Sequence, residues 1–268
     1  MSADTSPRSR QWLGILLTLP LMIFLGFALV YPVYRLGGLA FTGGPVRLDR
    51  VAWLGLRNSI LLSLGVAFCS IVICFIPAWV LARWSFRGKL LLRTALTLPL
   101  TFSGVVVGFL AILMIGRVGF IPTLAETLFG FSFLGAAAYT PIGLVLAYLY
   151  FEIPRATLAL ESAFAELDHD LEAAAATLGA SAGRRMFRLV VPMVFPALIA
   201  TFFLTFSVSL GSYGVALMLS RRLTLVPMEI YSSFTGFLDD QRAAILSLTL
   251  IGISLSASVV SRLMRRFS

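Results

Sequence analysis

The sequence predicts an all-α, polytopic membrane protein with six transmembrane helices, and three observations carry that reading. Of 268 residues, 59% are hydrophobic and only 12% are charged, against about 45–50% and about 25% in soluble domains. Mean hydropathy is +0.96. Six apolar stretches, at roughly 12–34, 59–82, 94–116, 135–153, 193–210 and 243–261, come close to the twenty or so residues that cross about 30 Å of hydrocarbon. This composition excludes a disordered chain, a secreted disulfide scaffold and a nucleic-acid-binding domain. The formal charge of +9 reflects Lys and Arg gathered at cytoplasmic ends beside anionic headgroups, so the lipid bilayer is the partner and no nucleic acid is implied.

Span one (12–34) follows a short tail, 1–11, and is too long for a signal-peptide core; it lacks an A-x-A cleavage signature and so stays in the mature chain. Span two carries Cys69 and Cys74. Their spacing fits neither one helix face nor a metal site, which makes them small buried hydrophobes. After it, Gly88-Lys89 is no P-loop, because Arg83 stands where the first glycine should and Leu90 where the hydroxyl should. Pro77, Pro99, Gly104, Gly108, Pro141, Gly143 and Pro196 lie within spans two to five. Two readings stand side by side. Lipid-embedded helices tolerate such residues because neighbours satisfy the freed backbone groups, or 99–108 and 207–214 are bent or broken helices lining a path. The polar side chains near those bends are Thr101, Ser103, Ser207, Ser209, Ser212 and Tyr213; such groups more often bond their own backbone or a neighbouring helix than line a path.

Six crossings put both termini on one side. Arg8, Arg10, Arg83, Arg87, Lys89, Arg93, Arg155, Arg184, Arg185, Arg188, Arg262, Arg265 and Arg266 share that side, 13 of 21 basic residues, giving an N-in, C-in orientation. Arg47, Arg50, Arg221 and Arg222 fall outside. None of the six apolar cores holds an ionisable residue well away from its ends, which tells against a proton-coupled pump. The single histidine, His169, sits among Glu166, Asp168 and Asp170 as a solvated loop residue. No catalytic constellation, metal site or cofactor site is expected, and the acidic run 161–172 reads as helix-start charge and solvated loop.

The longest inner loop, 154–191, is helical in composition. Residues 155–164 read as a short amphipathic helix. Asp168 and Asp170 are N-cap candidates for a helix over 171–178, which Gly179 ends in the left-handed conformation. Ser181 caps the next turn, bearing Arg184, Arg185 and Arg188, and Pro192 suits the first turn of span five. Leu171, Ala174, Ala175 and Leu178 form one apolar stripe at i, i+3, i+4 and i+7. So short a helix must lie against something, either this chain's own membrane ends or a groove on a cytoplasmic partner.

The stretch from Asp170 and Leu171 through Glu172, Ala173, Ala174, Ala175, Ala176, Thr177, Leu178 and Gly179 to Ser181 resembles the EAA loop of permease subunits of ATP-binding-cassette importers. Leu189, Val191 and Pro192 complete the likeness. That signature reads E-A-A, three residues, Gly, nine residues, then I-x-L-P. Ala173, Ala174 and Ala175 stand at its E-A-A positions, Gly179 at the Gly, and Leu189, Val191 and Pro192 at the close; the acid falls one residue early, at Glu172. Arg57-Asn58-Ser59 resembles the start of the family's core, so the likeness covers 57–261, with 12–34 as an accessory helix and 262–268 as a cytoplasmic tail. The resemblance implies a non-catalytic subunit of the prokaryotic inner membrane. Its partners would be an ATPase dimer docked on the 154–191 coupling loop, a second permease of the same or a different chain, and an extracytoplasmic solute-binding protein docking near 220–242. It is nearest the smaller permeases for polyamines, ferric iron, sulfate or molybdate, and phosphonates. The rival is a stand-alone secondary transporter or channel, which would want membrane-embedded charges or an internal repeat.

Overall fold

Long apolar runs without water to solvate the backbone close their hydrogen bonds within each segment, and the chain is helical throughout its described elements. The computed structural model describes residues 7–41, 49–130, 139–220 and 223–266; Arg47, Arg221, Arg222 and the start of the fourth predicted span lie outside them. The helices are α1 (Pro7–Phe41), α2 (Arg50–Arg83), α3 (Lys89–Thr101), α4 (Gly104–Ile115), α5 (Phe120–Phe129), α6 (Pro141–Ala165), α7 (His169–Thr177), α8 (Ala182–Arg185), α9 (Val191–Leu210), α10 (Tyr213–Leu219), α11 (Val226–Thr235) and α12 (Asp240–Arg266). A π-helical turn, Met186–Val190, joins α8 to α9 without a break. Six segments are long and apolar enough to cross a membrane.

The core forms where α2, α4, α6 and α10 meet around Leu62, Val66, Val107, Leu144, Tyr148, Val215 and Leu219. A second cluster lies further along α2 and α6, where Cys74, Ala78, Ala156, Leu160 and Phe164 pack with Val190 and Val194. Phe75 meets Phe164 edge-to-face with ring centroids 5.3 Å apart. Cys74 is buried and free, while Cys69 is half-buried. By contrast, no residue in the apolar window of α1 is buried, and that helix packs on α12.

Four boundaries differ from the sequence reading. First, the predicted third span (94–116) is not one helix. It breaks at Phe102–Ser103, where α3 ends two residues after Pro99 and the Ser103 hydroxyl accepts the Val106 N–H at 3.5 Å to start α4; the segment here that is long and apolar enough to cross a membrane is Gly104–Leu128, itself interrupted between α4 and α5. Second, α6 continues through Pro154 to Ala165, so 155–164 is the end of the fourth membrane helix rather than a separate one. Proline removes one donor from the ladder, but the burial of Ala156, Leu160 and Phe164 carries the helix past it. Third, Arg184, Arg185 and Arg188 stand on the continuous helix Ala182–Leu210 that enters span five. Fourth, α2 begins at Arg50, capped by the Asp49 carboxylate, which accepts the Ala52 N–H at 2.9 Å.

At the end of the bundle holding the α1–α2 connection, α12 gathers three elements. Gln241 donates to the Ala40 carbonyl at 3.2 Å. Arg242 reaches Asp49 at 3.2 Å and Glu229 of α11 at 3.0 Å. Asn58 and Ser59 of α2 bond the backbone of Thr224 and Val226, seating α11 beside the head of α2.

Candidate functional site

Two features draw the polar chemistry together, the loop around α7 and a pair of helix breaks. The first begins with the caps. The Asp168 side chain accepts the Asp170 N–H at 2.9 Å, and Asp170 and Glu172 place negative charge in the first turn of α7, where the helix dipole favours it. At the other end Gly179 has φ +81°. Its N–H donates to the Ala176 carbonyl at 3.0 Å, and the Ala180 N–H donates to Ala175 at 3.1 Å, the paired bonds of a Schellman stop. Ser181 then accepts the Arg184 N–H at 3.4 Å. The residues that the sequence assigns to helix start, stop and restart occupy those positions.

Along α7 no residue from Asp170 to Thr177 is buried; Glu172 and Ala175 are half-buried, and Ala173 and Ala174 are exposed. Leu171 is 45% and Leu178 88% exposed, so among the described residues the two leucines of the apolar stripe are left exposed. Leu189 and Val191 are half-buried and Pro192 is exposed, all three on the helix into span five. From that helix Arg185 reaches back to donate to the Glu172 carbonyl at 3.4 Å; Arg184 and Arg188 are exposed.

The acidic run is not merely solvated, a correction to the sequence reading. The Glu172 carboxylate accepts from Arg83 of α2 at 2.7 Å, with the two side chains 20% and 4% exposed, and Arg83 also donates to the Leu167 carbonyl at 3.2 Å. Glu161, on the last turns of α6, is buried and paired with Arg93 of α3. The carboxylate one residue ahead of Ala173 is therefore engaged within the chain. Ala173, exposed on the adjoining face, has room for the acid of the EAA pattern. An Ala173→Glu variant is expected to insert and transport within about twofold of the parent, since exposed helix substitutions stay within about 0.5 kcal/mol; uptake assays check it.

The second feature lies where the α3–α4 break faces the α9–α10 break at Gly211–Ser212. Gly104 and Gly214 let the two backbones touch: a Cβ on Gly214 would sit 2.5 Å from the Val105 nitrogen and 2.7 Å from the Gly104 carbonyl carbon. A Cβ on Gly108 would sit 2.8 Å from that of Met218. Ser103 and Ser212–Tyr213 are thereby brought near one another. Thr101 instead bonds its own helix at Leu98, 2.7 Å away, and Tyr213 stacks at a tilt on Tyr231 with centroids 5.1 Å apart. The Ser212 carbonyl accepts from the buried Tyr148 hydroxyl at 2.8 Å, and the Ser207 hydroxyl is buried without a partner among the described residues.

Ser209 leads to a residue the sequence reading missed. Its hydroxyl donates to Glu152 at 3.3 Å, and Glu152, completely buried within α6, also pairs with Arg155 at 3.0 Å. With the fourth span ending at residue 153, Glu152 reads as terminal and the apolar cores as free of charge. The available signal was the i, i+3 Glu-Arg pair followed by Ala156, Leu160 and Phe164 on a continuing apolar face. Its counterion, Arg155, stands one turn further along the same helix. Nearer the α7 end, a groove of about 900 Å³ opens between α6, α9 and α12, lined among others by Ser162, Ala197, Thr201, Ser258 and Arg262.

The sequence profile described as "Binding-protein-dependent transport system inner membrane component" matches residues 71–267. The molybdenum transport system permease protein ModB of Haemophilus influenzae is 32% identical over 212 residues, covering 76% of this chain and 91% of that protein. A probable sulfate transport system permease protein of Prototheca wickerhamii is 30% identical over 180 residues, covering 66% and 68%. In fold, the chain superimposes on a chain of a bacterial alginate ABC transporter, crystallised in complex with its pentasaccharide-bound periplasmic protein, with TM-score 0.74 at 17% identity over 96% and 95% of the two chains. The chain belongs to the family of binding-protein-dependent transport system inner membrane components.

Proposed function

We propose that this permease subunit imports a tetrahedral oxyanion of the molybdate or sulfate class. As a member of its family it is a non-catalytic, multi-pass inner-membrane subunit that works with a cytoplasmic ATPase pair, a second permease and an extracytoplasmic binding protein. The observation that carries the docking role is α7 itself: a helix capped at both ends whose apolar residues Leu171 and Leu178 are left uncovered. A helix-in-groove contact covers such a stripe, and the small Ala174 and Ala175 admit a close approach. In this reading the loop side is cytoplasmic, the N-in, C-in orientation holds, and closure of the ATPases on ATP is returned as a rigid-body movement of the helices. The path runs past the two facing breaks, with Thr101, Ser103, Ser207, Ser209, Ser212 and Tyr213 near it. It continues along the groove between α6, α9 and α12, which the second permease closes. The solute class rests on the molybdenum and sulfate permeases among the relatives.

The test is uptake of labelled molybdate and sulfate into vesicles holding the complete complex, with and without ATP inside. ATP-dependent uptake of either, competed by the other, is the expected result; failure of both, with uptake of an unrelated solute, rejects the solute class. Within the same assay Gly179→Val is expected to lower uptake at least about tenfold, because a β-branched residue at φ +81° is strained and displaces the stop of α7. Membrane insertion should be unchanged, and normal uptake would remove the docking role.

A further inference from the structure

α7 buries none of residues 170–177. A helix of nine residues is marginal in water by itself, so its position depends on the few bonds that reach it. The shortest of these to a membrane helix is the pair between Glu172 and Arg83 at 2.7 Å, whose guanidinium is almost wholly buried and also holds the Leu167 carbonyl at the entry to α7. Arg83 is the last residue of α2, and only 84–88 separate it from α3. On the far side of that turn Arg93 grips Glu161. Both arginines read in the sequence as topology-setting charges, yet both are spent on acids of the 154–191 segment.

We propose that Arg83 and Glu172 form a joint that passes the movement of α7 directly into α2 and, across the short turn, into α3. The joint is a second route beside the covalent one through α8 and α9. It leads to the membrane interior: α3 ends at the break before Ser103, beyond which α4 touches α10 at Gly104 and Gly214. Arg83 and Glu172 are positioning residues, touching neither solute nor nucleotide. The inference rests on the importer reading.

The complete complex in proteoliposomes, with its binding protein and molybdate, allows ATP hydrolysis and solute uptake to be measured together. Wild type should hydrolyse ATP in a binding-protein-dependent way; if it does not, the importer reading fails before the joint is tested. Given that behaviour, Arg83→Gln and Glu172→Gln should each lower solute moved per ATP hydrolysed about tenfold, with the ATPase still co-purifying. The reversed pair R83E/E172R should recover most of the ratio that each reversal alone loses, the signature of a direct interaction. A wild-type ratio in both glutamine variants overturns the joint. So does loss of the ATPase from both purified complexes, or a reversed pair no better than the single reversals.

Discussion

Gly214→Ala is expected to deplete the folded protein from the membrane. The added Cβ would lie 2.5 Å from the Val105 nitrogen and 2.7 Å from the Gly104 carbonyl carbon. Both obstacles are backbone, so no rotamer change relieves them, and the two broken helices must separate. Overpacking of this kind costs about 3 kcal/mol, a large share of a total stability of about 5–15 kcal/mol. Gly65→Ala in α2, where a Cβ meets nothing within 4 Å, is the control and should be neutral or slightly stabilising. Size-exclusion profiles of detergent-solubilised protein should show a monodisperse peak for Gly65→Ala and loss or aggregation of that peak for Gly214→Ala. Equal peaks would mean that α4 and α10 do not touch at their glycines.

The second large effect is expected at Glu152. Its carboxylate is fully buried beside Ser209 and the partly exposed Arg155, and its removal leaves the buried Ser209 hydroxyl without its acceptor and Arg155 without its counterion, at about 1–3 kcal/mol. Glu152→Ala should therefore lower the thermal midpoint of the solubilised complex by several degrees. Replacing both partners with apolar residues of similar volume is far less costly than breaking the pair, so Glu152→Met/Arg155→Met should lie nearer the parent than Glu152→Ala. If the double variant is the worse of the two, the pair stabilises the fold through more than mutual compensation. A thermal-shift series on the three proteins decides it.

What could be read from the sequence divides along a physical line. Caps and stops are local: Asp168, Gly179 and Ser181 act on backbone groups within three residues, and each sits where its chemistry directs. Span existence is nearly as local, since hydropathy integrates over one segment. Termination is not. Pro99 and Pro154 are both prolines within apolar runs, yet α3 ends two residues after the first while α6 runs eleven past the second. The difference lies in packing against α2, which a one-dimensional reading does not contain. The ion pairs of Arg83 and Arg93 span 89 and 68 residues, so the sequence shows the charges without their partners and lipid headgroups look like the default acceptor. The departure at Ala173 is instructive for the same reason. Glu172 alone cannot reveal its role, because that role is set by an arginine from another helix.

The junction made by α12 also bears on the order of events in time. Gln241 and Arg242 hold Ala40, Asp49 and Glu229 together, yet α12 leaves the ribosome after every element it holds. Until then, the head of α2 and α11 lack their shared counterion, and Ala40 lacks its bond to Gln241. Assembly at this corner thus waits for α12, the last of the elements that it joins. A nascent chain halted before α12 would present Asp49 and Glu229 without the arginine that they share.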